Sequence, residues 1–469
     1  MFARHGLGVG KKSVSGRQIR VCMTNSNTGR AGDGGDASGG SKSTRCARCG
    51  ACTVVCPVYR ASGGKEYYSG RGKKYLLEVM GQDTPSPIFE DIFSKCLLCG
   101  ACVAACPRGV DVVKEVREAR STFSRGYGEH GYQKFLAARV LEKPELLSVV
   151  GRFGRTFHSL LEKKLPADSG LRLKLAMFDQ EPASIKQQTP RPSAAFQPAA
   201  AGDGEQLVYF PGCSATYLSP EVLDVTCELL ESLGFAVDIP AGLACCGLAI
   251  DSIGERQKAR KLARRNIEAL EQQQGRIVVS CGSCYAHLRS YAELLAEDRI
   301  WAERAAELGG RLVELSQLLE QVLPDIDEKS STDSPASVTT DKVLRVFYHD
   351  PCHFQNEANI TREPRRVLQS FSGQVELLEL VDGPQCCGQG GLFHLGAPEL
   401  AATIRDDLAE KVLAMSPDVI TSSCSGCLMQ WKSALAAASV KLPVLHLSEL
   451  IKLLSSPCSR QPNRSTGQG

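Results

Sequence analysis

The sequence predicts a mixed α+β and α/β protein, in which a small helical domain precedes two homologous α/β domains. Near the N-terminus, two cysteine-rich runs share one spacing, CARCGACTVVCP and CLLCGACVAACP. Further along, strand-like and helix-like segments alternate around a set of cysteines that occurs twice, which indicates an internal duplication. Matching cysteines are 139 residues apart (Cys213 to Cys352), 141 apart (Cys246 to Cys387) and 143 apart (Cys284 to Cys427).

The predicted domains follow one another along the chain, and each boundary comes from a change in composition or periodicity. Gly- and Ser-rich residues without periodic apolar positions predict a disordered tail, and a run rich in Pro, Ala and Gln predicts a linker. The predicted segments are a disordered tail at 1–40, a ferredoxin-like helical domain at 41–120, a helical connector at 121–181, a linker at 182–206, the first α/β domain at 207–325, a polar hinge at 326–342, the second α/β domain at 343–456 and a tail at 457–469.

Composition and charge exclude several classes of protein. The chain has 469 residues, 43% of them hydrophobic, and contains no run of about 18 apolar residues that would predict a membrane span. Its net charge is +3, but residues 1–45 are strongly basic, so the remainder is slightly acidic, unlike a nucleic-acid-binding protein. The 21 cysteines fall largely in short C-x-x-C units, which indicate metal ligands in a reducing compartment instead of disulfides.

The two N-terminal cysteine runs have the C-x-x-C-x-x-C-x-x-x-C-P spacing of ferredoxins that carry two [4Fe–4S] clusters. Three closely spaced thiolates bind one cluster, on a loop in which Gly50 or Gly100 allows a sharp turn, and the fourth cysteine ligates the other cluster. A pair of zinc knuckles would not require this doubled pattern. We therefore predict two [4Fe–4S] clusters, one bound by Cys46, Cys49, Cys52 and Cys106, the other by Cys96, Cys99, Cys102 and Cys56.

Each α/β half begins with a short apolar run that leads to a cysteine, VYFPGC in the first half and VFYHDPC in the second, as expected of a buried strand that feeds a loop. Loops after parallel strands lie at one edge of the sheet, where α/β proteins bind ligands. Adjacent cysteines suit neighbouring irons of an opened cluster, and a structural zinc or a single cubane is the alternative. The candidate ligands are Cys213, Cys245, Cys246, Cys281 and Cys284 in the first half and Cys352, Cys386, Cys387, Cys424 and Cys427 in the second.

The duplicated motif resembles the cysteine-rich CCG domain of heterodisulfide reductases and of the iron–sulfur subunits of glycolate and lactate oxidoreductases. From about residue 41 to 455, the order of motifs resembles the glycolate oxidase iron–sulfur subunit and the D-subunit of heterodisulfide reductase. The stretch YSGRGKKYLLEVM is also similar to the glycolate oxidase subunit. Both halves keep five cysteines, as in the disulfide-reductase type. The resemblance therefore implies one or two further [4Fe–4S] clusters, of the noncubane kind, with zinc as the alternative.

The resemblance implies an electron-transfer subunit of an oxidoreductase, which passes electrons from a flavoprotein that oxidises glycolate or D-lactate to a quinone or another carrier. The alternative is a catalytic subunit that reduces a disulfide at CCG-bound clusters, with Cys386 and Cys387 as catalytic residues. No G-x-G-x-x-G motif follows a predicted strand, so flavin and nicotinamide are expected on a partner. The expected partners are a flavoprotein dehydrogenase subunit, a membrane electron-carrier subunit, or both. We expect a cytoplasmic location, peripheral at the inner face of the membrane.

Four histidines lie close to the duplicated cysteines in sequence: His287, His349, His353 and His394. A histidine beside a disulfide-reducing cluster could supply protons. We expect these four instead to orient the site through hydrogen bonds.

Overall fold

The computed structural model describes residues 46–80, 86–143, 146–150, 152, 204–323 and 343–455. The predicted N-terminal tail, the hinge, the C-terminal tail, most of the linker and residues 153–181 of the helical connector lie outside these residues, as do Cys22 and Cys458. Within the described part, the protein has the predicted mixed architecture, a helical region followed by two α/β halves, each with one parallel sheet.

The described residues 46–143 form short helices joined by turns. Phe89, Phe93 and Val116 pack into an apolar core between two of these helices. Val116 belongs to the second of them, which forms in the stretch VVKEVREARSTF, as its apolar periodicity predicts. The side chain of Asp111 caps this second helix by accepting a hydrogen bond from the Lys114 amide at 2.9 Å. The helices are α1 Ala51–Val54, α2 Pro57–Ala61, α3 Gly70–Met80, α4 Pro87–Ser94, α5 Ala101–Ala104, α6 Val112–Thr122 and α7 Gly131–Glu142, with a 3₁₀ turn at Glu66–Tyr68.

The first α/β half contains a four-stranded parallel sheet with strand order β2-β1-β3-β4. Its central strands are apolar along their length because helices cover both faces of the sheet. Its elements are β1 Gln206–Phe210, α8 Pro220–Ser232, β2 Ala236–Asp238, α9 Leu248–Asp251, α10 Arg256–Glu271, β3 Arg276–Val279, α11 Gly282–Arg289, α12 Tyr291–Leu294, α13 Arg299–Arg311, β4 Leu312–Glu314 and α14 Leu315–Val322.

The second half repeats this topology, with strand order β6-β5-β7-β8 and every pair parallel. Its longest helix, α17, has 17 residues, and none of the helices in the described ranges is long and apolar enough to cross a membrane. The elements are β5 Leu344–Tyr348, α15 Glu363–Gln369, β6 Val375–Leu378, α16 Phe393–Gly396, α17 Pro398–Ala414, β7 Val419–Ser422, α18 Ser425–Ala438, β8 Val444–His446 and α19 Leu447–Ser455.

The strand order places the cysteine loops at one point of each sheet. From β1 the chain crosses to β2 on one side, and later to β3 on the other, so the strand order reverses between β1 and β3. A crevice opens at such a reversal, beyond the carboxyl ends of the strands. Cys213 follows β1 and Cys281 follows β3, while Cys352 and Cys424 follow β5 and β7.

The two halves pack against each other symmetrically. Helix α8 of the first half contacts α19 of the second, and α15 of the second contacts α14 of the first. Both large apolar cores draw side chains from both sheets. At one such contact the Thr226 hydroxyl donates to Ser448 Oγ at 2.8 Å, and both residues are fully buried. The duplicated halves thus share their apolar cores, and this shared packing fixes the position of one cysteine crevice relative to the other.

Candidate cluster sites

The first run of cysteines shares a pocket with one cysteine of the second run. Cys46, Cys49 and Cys52 line it together with Cys106. Gly50 has φ +84°, a left-handed conformation that turns the chain between the second and third of these cysteines, just before α1. Cys49 is exposed, so this pocket opens to solvent. The pocket is also lined by three basic side chains, those of Arg48, Arg71 and Arg108.

The second pocket has the reciprocal composition. Cys96, Cys99 and Cys102 of the second run line it with Cys56 of the first, and Gly100 makes the same turn at φ +76°. Each pocket therefore gathers four thiols, three from one run and one from the other, as the predicted ligand exchange requires. Four converging thiols are the donor set that a [4Fe–4S] cubane uses, so the residues present fit that group.

Lys73 is buried beside the second pocket, with 1% of its surface exposed, and its ammonium donates to the Tyr68 carbonyl. Burial lowers the pKa of Lys73, whereas the nearby thiols of Cys96 and Cys56 raise it. A [4Fe–4S] cluster held by four thiolates carries net negative charge, and an adjacent negative charge favours the protonated lysine. Lys73 is therefore placed as the buried countercharge of the second pocket.

Replacing Lys73 by methionine is expected to lower the midpoint potential of one [4Fe–4S] cluster, because reduction adds negative charge that the ammonium stabilises. A unit charge about 6 Å away at an effective dielectric constant of about 20 contributes roughly 3 kcal/mol, on the order of 100 mV for one electron. EPR-monitored redox titration measures the shift. Lys74→Met is the matched control, since the Lys74 ammonium pairs with Glu115 at 2.7 Å. Equal potentials in the two variants would contradict this role.

The crevice of the first half holds five thiols. A Cβ at Gly212, which has φ +73°, would lie 2.9 Å from the sulfur of Cys284, so only glycine lets the backbone approach this closely. The sulfurs are close enough to exchange hydrogen bonds with one another along the series from Cys213 through Cys245 and Cys246 to Cys284. The fifth, Cys281, neighbours Cys284.

A buried polar network holds the paired cysteines of the first half. The Asn266 carboxamide accepts from the Ala244 amide at 2.8 Å and donates to the Cys245 carbonyl at 3.1 Å. The Tyr291 hydroxyl donates to the Cys246 carbonyl at 2.7 Å. These contacts orient both cysteines before any metal binds, which is the role of the residues behind a metal site.

The crevice of the second half gathers its five cysteines in the same way. Hydrogen bonds from the thiols of Cys386 and Cys427 lower the pKa of Cys387 to about 5. Cys352 lies against Cys386, and Cys424 against Cys427. Five converging cysteine sulfurs are donors that either an iron–sulfur cluster or zinc can use. The structure thus brings together all ten cysteines predicted as CCG ligands, five in each crevice.

The four histidines differ in their surroundings. Burial lowers the pKa of His349 to about 4. Burial acts in the same direction on His353, but the neighbouring Cys352 sulfur outweighs it and raises the pKa of His353 to about 9. The other two make hydrogen bonds to backbone carbonyls, His287 Nδ1 to that of Cys246 at 2.9 Å and His394 Nδ1 to that of Gly391 at 3.1 Å.

The second pocket of the helical region adjoins the second crevice. Burial raises the pKa of Cys99, and Cys386 and Cys352 are close enough to raise it further. The Asn356 carboxamide donates to the Cys99 carbonyl at 2.8 Å, across the boundary between the two domains. A ligand cysteine of one predicted cluster thus lies next to ligand cysteines of another.

The two crevices also meet each other. The Cys281 thiol donates a hydrogen bond to the Cys424 sulfur and lowers the pKa of Cys424. Ser283 Oγ lies 3.2 Å from the same sulfur, and the Gly282 amide donates to the Ser423 carbonyl at 2.7 Å. Cys52 of the exposed pocket in turn lies close to Cys102 of the second pocket, with both side chains against Gly70. Four groups of cysteines therefore form one continuous series, from the exposed pocket through the second pocket and the second crevice to the first crevice.

Sequence reasoning did not identify the residues that surround these cysteines. Lys73 lies in the stretch YSGRGKKYLLEVM, but nothing in its spacing separates it from Lys74. Asn266 and Tyr291 lie in helices whose apolar periodicity does not mark them. Ser283 stands between two cysteines of a C-x-x-C unit, which is the one signal that could have pointed to it.

Comparison with known proteins matches both parts of the chain. The model of a cysteine-rich domain, CCG, matches residues 207–289 and 346–432, and that of a 4Fe–4S dicluster domain matches residues 42–110. A probable glycolate oxidase iron–sulfur subunit of Bacillus subtilis is 29% identical over 421 residues, which cover 84% of this chain and 90% of that protein. Lactate utilization protein A of Halalkalibacterium halodurans is 30% identical over 242 residues, 52% of this chain and 94% of that protein. One subunit of the fumarate reductase (CoM/CoB) of Methanothermobacter marburgensis is 29% identical over 254 residues, 54% of this chain and 47% of that protein.

Proposed function

This chain belongs to the family of iron–sulfur oxidoreductase subunits that includes the glycolate oxidase and lactate utilization proteins. On this basis we propose that it carries electrons from a flavoprotein that oxidises glycolate or D-lactate. The acceptor is a quinone or another carrier. The observation that carries the proposal is the continuous series of four cysteine groups, each beside the next.

We assign two [4Fe–4S] clusters to the two four-cysteine pockets and at least one further cluster to the crevices of the CCG domains. Each cluster, when bound, takes up and releases one electron. The chain supplies the thiolates, the glycines that let the backbone approach, and the buried charge of Lys73. In the two crevices, burial excludes water from the sulfurs of several cysteines, which lowers the local dielectric constant there and strengthens the effect of each neighbouring charge. The buried ones are Cys245, Cys246, Cys281, Cys284, Cys387, Cys424 and Cys427.

We assign the docking site of the flavoprotein partner to the exposed pocket. Cys49 is exposed there, whereas Cys281 in the first crevice, the last group of the series, is buried. Beside the pocket, α1 and α3 present exposed apolar side chains, Val54 and Tyr75, and the Arg48 guanidinium stacks over the Tyr75 ring at 5.3 Å. Aromatic residues and arginine are enriched in protein interfaces. A cytoplasmic location, at the inner face of the membrane, is consistent with a quinone acceptor and is part of the proposal.

Catalytic disulfide reduction at the CCG sites is the other candidate, and the burial of its key residues argues against it. Cys387 is 5% exposed and Cys424 2% exposed, so neither sulfur offers a face to a disulfide substrate. Cys386, the other candidate catalytic residue, is only partly buried. Its sulfur lies against the sulfurs of Cys352 and Cys387. We therefore prefer electron transfer.

The test is reduction of the chain by substrate. The anaerobically purified full chain is mixed with a flavoprotein 2-hydroxy-acid dehydrogenase of the same organism and with glycolate or D-lactate, and EPR follows the reduced clusters. We expect reduction only when flavoprotein and acid are both present. If dithionite reduces the clusters but neither acid does so through any such flavoprotein, the proposed donor is wrong.

A further inference from the structure

The second crevice contains a nitrogen donor among its sulfurs. His349 follows β5 directly, and one of its ring nitrogens lies within 4.8 Å of the sulfurs of Cys387 and Cys427, which lie within the same distance of each other. All three residues are buried. Imidazole and thiolate together form common ligand sets for zinc and occur in some iron–sulfur clusters. This arrangement of three donors was not among the ligands predicted from the cysteine pattern.

The imidazole is held in place, yet one of its polar atoms has no partner. The His349 amide donates to the Thr421 carbonyl and the Ser422 hydroxyl donates to the His349 carbonyl, both at 2.8 Å, so the backbone is tied to β7. The ring packs edge-on against Trp431, with centroids 5.8 Å apart. Its Nε2 is buried and makes no hydrogen bond to any residue in the described ranges. A buried polar atom without a partner is unfavourable, and a bound metal would satisfy it.

At the position that matches His349, the first half carries an apolar residue. When the duplicated strands are matched at Cys213 and Cys352, the residue three positions before each cysteine is Phe210 in the first half and His349 in the second. Phe210 is fully buried in the apolar core of its half. Phe210 is the last residue of β1, and His349 directly follows β5. At matching positions, the first crevice therefore has an apolar ring and the second has a ring that can bind metal.

We propose that His349 is a metal ligand of the second crevice, together with Cys387 and Cys427, so that the second CCG site is a mixed cysteine–histidine site and the first is not. This inference rests on the proposed function in one respect, that the second crevice holds a metal. A neutral imidazole brings less negative charge to a metal than a thiolate does, and histidine ligation raises the potential of iron–sulfur clusters. The second site would therefore hold an electron more favourably than an all-cysteine site of the same kind.

The test is the identity of the donor atoms in the full chain. The protein is labelled with ¹⁵N-histidine, and pulsed EPR of the paramagnetic clusters measures the hyperfine coupling to nitrogen. We expect a strongly coupled histidine nitrogen in the unsubstituted chain, its loss in His349→Phe, and its retention in His353→Gln. His349→Phe introduces the residue that the first half carries at the matching position. The EPR signals of the two ferredoxin clusters report whether the variant is folded.

Metal content separates failure of this inference from failure of the proposed function. If the unsubstituted chain holds metal beyond the eight irons of two [4Fe–4S] clusters, but no strongly coupled nitrogen, or if the coupling survives in His349→Phe, histidine ligation is wrong and the proposed function stands. If that metal is zinc, zinc-edge X-ray absorption replaces EPR, and a nitrogen at about 2.0 Å that disappears in His349→Phe is the expected result. A chain with no metal beyond those eight irons overturns both.

Discussion

Substitution of serine for Cys387 is expected to abolish electron transfer through the complex while leaving the EPR signals of both ferredoxin clusters unchanged. Cys387 is buried in the second crevice, where hydrogen bonds from Cys386 and Cys427 lower its pKa to about 5, and a serine hydroxyl is a far poorer metal ligand. Changes to the outer partners of metal ligands already cost about 10–100-fold in activity, so we expect at least a ~100-fold loss here. The readouts are iron and labile sulfide per chain, EPR, and turnover with the flavoprotein partner.

Cys227→Ser is the matched control for this substitution. Cys227 lies on α8, packs beside the core of the two halves and belongs to neither crevice. We expect the control to keep its metal content and nearly all of its turnover. If Cys387→Ser turns over as fast as this control, the second crevice is structural and electron transfer does not depend on it.

Replacing Arg120 by methionine is expected to destabilise the protein by about 3–5 kcal/mol, since it would leave several buried carbonyls without donors. Arg120 is 5% exposed. Its guanidinium donates to the carbonyls of Phe93, Ser94 and Cys96 at 2.7–3.0 Å, and it also donates to the carbonyl of Ser252 in the first CCG domain. A single side chain therefore joins the segment that carries a predicted cluster ligand to the neighbouring domain.

Chemical unfolding of the metal-loaded chain, followed by circular dichroism, measures this loss. Arg299→Met is the control, because the Arg299 side chain is 89% exposed and makes only a surface ion pair with Glu303. That pair contributes about 0.5 kcal/mol or less. We also expect Arg120→Met to alter the EPR line shape of one ferredoxin cluster, because the Cys96 carbonyl loses its donor. A free energy of unfolding that matches the Arg299 control would show that water replaces the guanidinium.

The cysteine spacing and the strand patterns determined much of the fold in advance. A parallel strand that is buried on both faces reads as a continuous apolar run, and VYFPGC, VFYHDPC, RIVVSCGSC and DVITSSCSGC each contain such a run directly before a cysteine. The structure has strands at all four places, and the family comparisons confirm the predicted resemblance. The ligand exchange between the ferredoxin runs stays a prediction, although each pocket contains the four cysteines that it requires.

The neighbours of the cysteines were not predictable, because they come from distant segments. Lys73 and Arg120 are basic residues in helices with several other basic residues, and only burial distinguishes them. His349 and His353 lie four residues apart, and no sequence pattern distinguishes a metal ligand among them. His353 directly follows Cys352 in the chain, so its place beside that sulfur is local. Only the tertiary structure places the ring of His349 close to Cys387 and Cys427.

By itself, the sequence identified the family, and it predicted which cysteines ligate each cluster, because covalent spacing sets which thiols can reach one cluster. The tertiary structure decided how the four cysteine groups follow one another. Contacts such as Cys99 with Cys386 and Cys281 with Cys424 join residues more than 140 positions apart, and they depend on the packing of whole domains. No local pattern encodes that packing, since it arises from apolar surfaces that the duplicated halves and the helical region bury against one another.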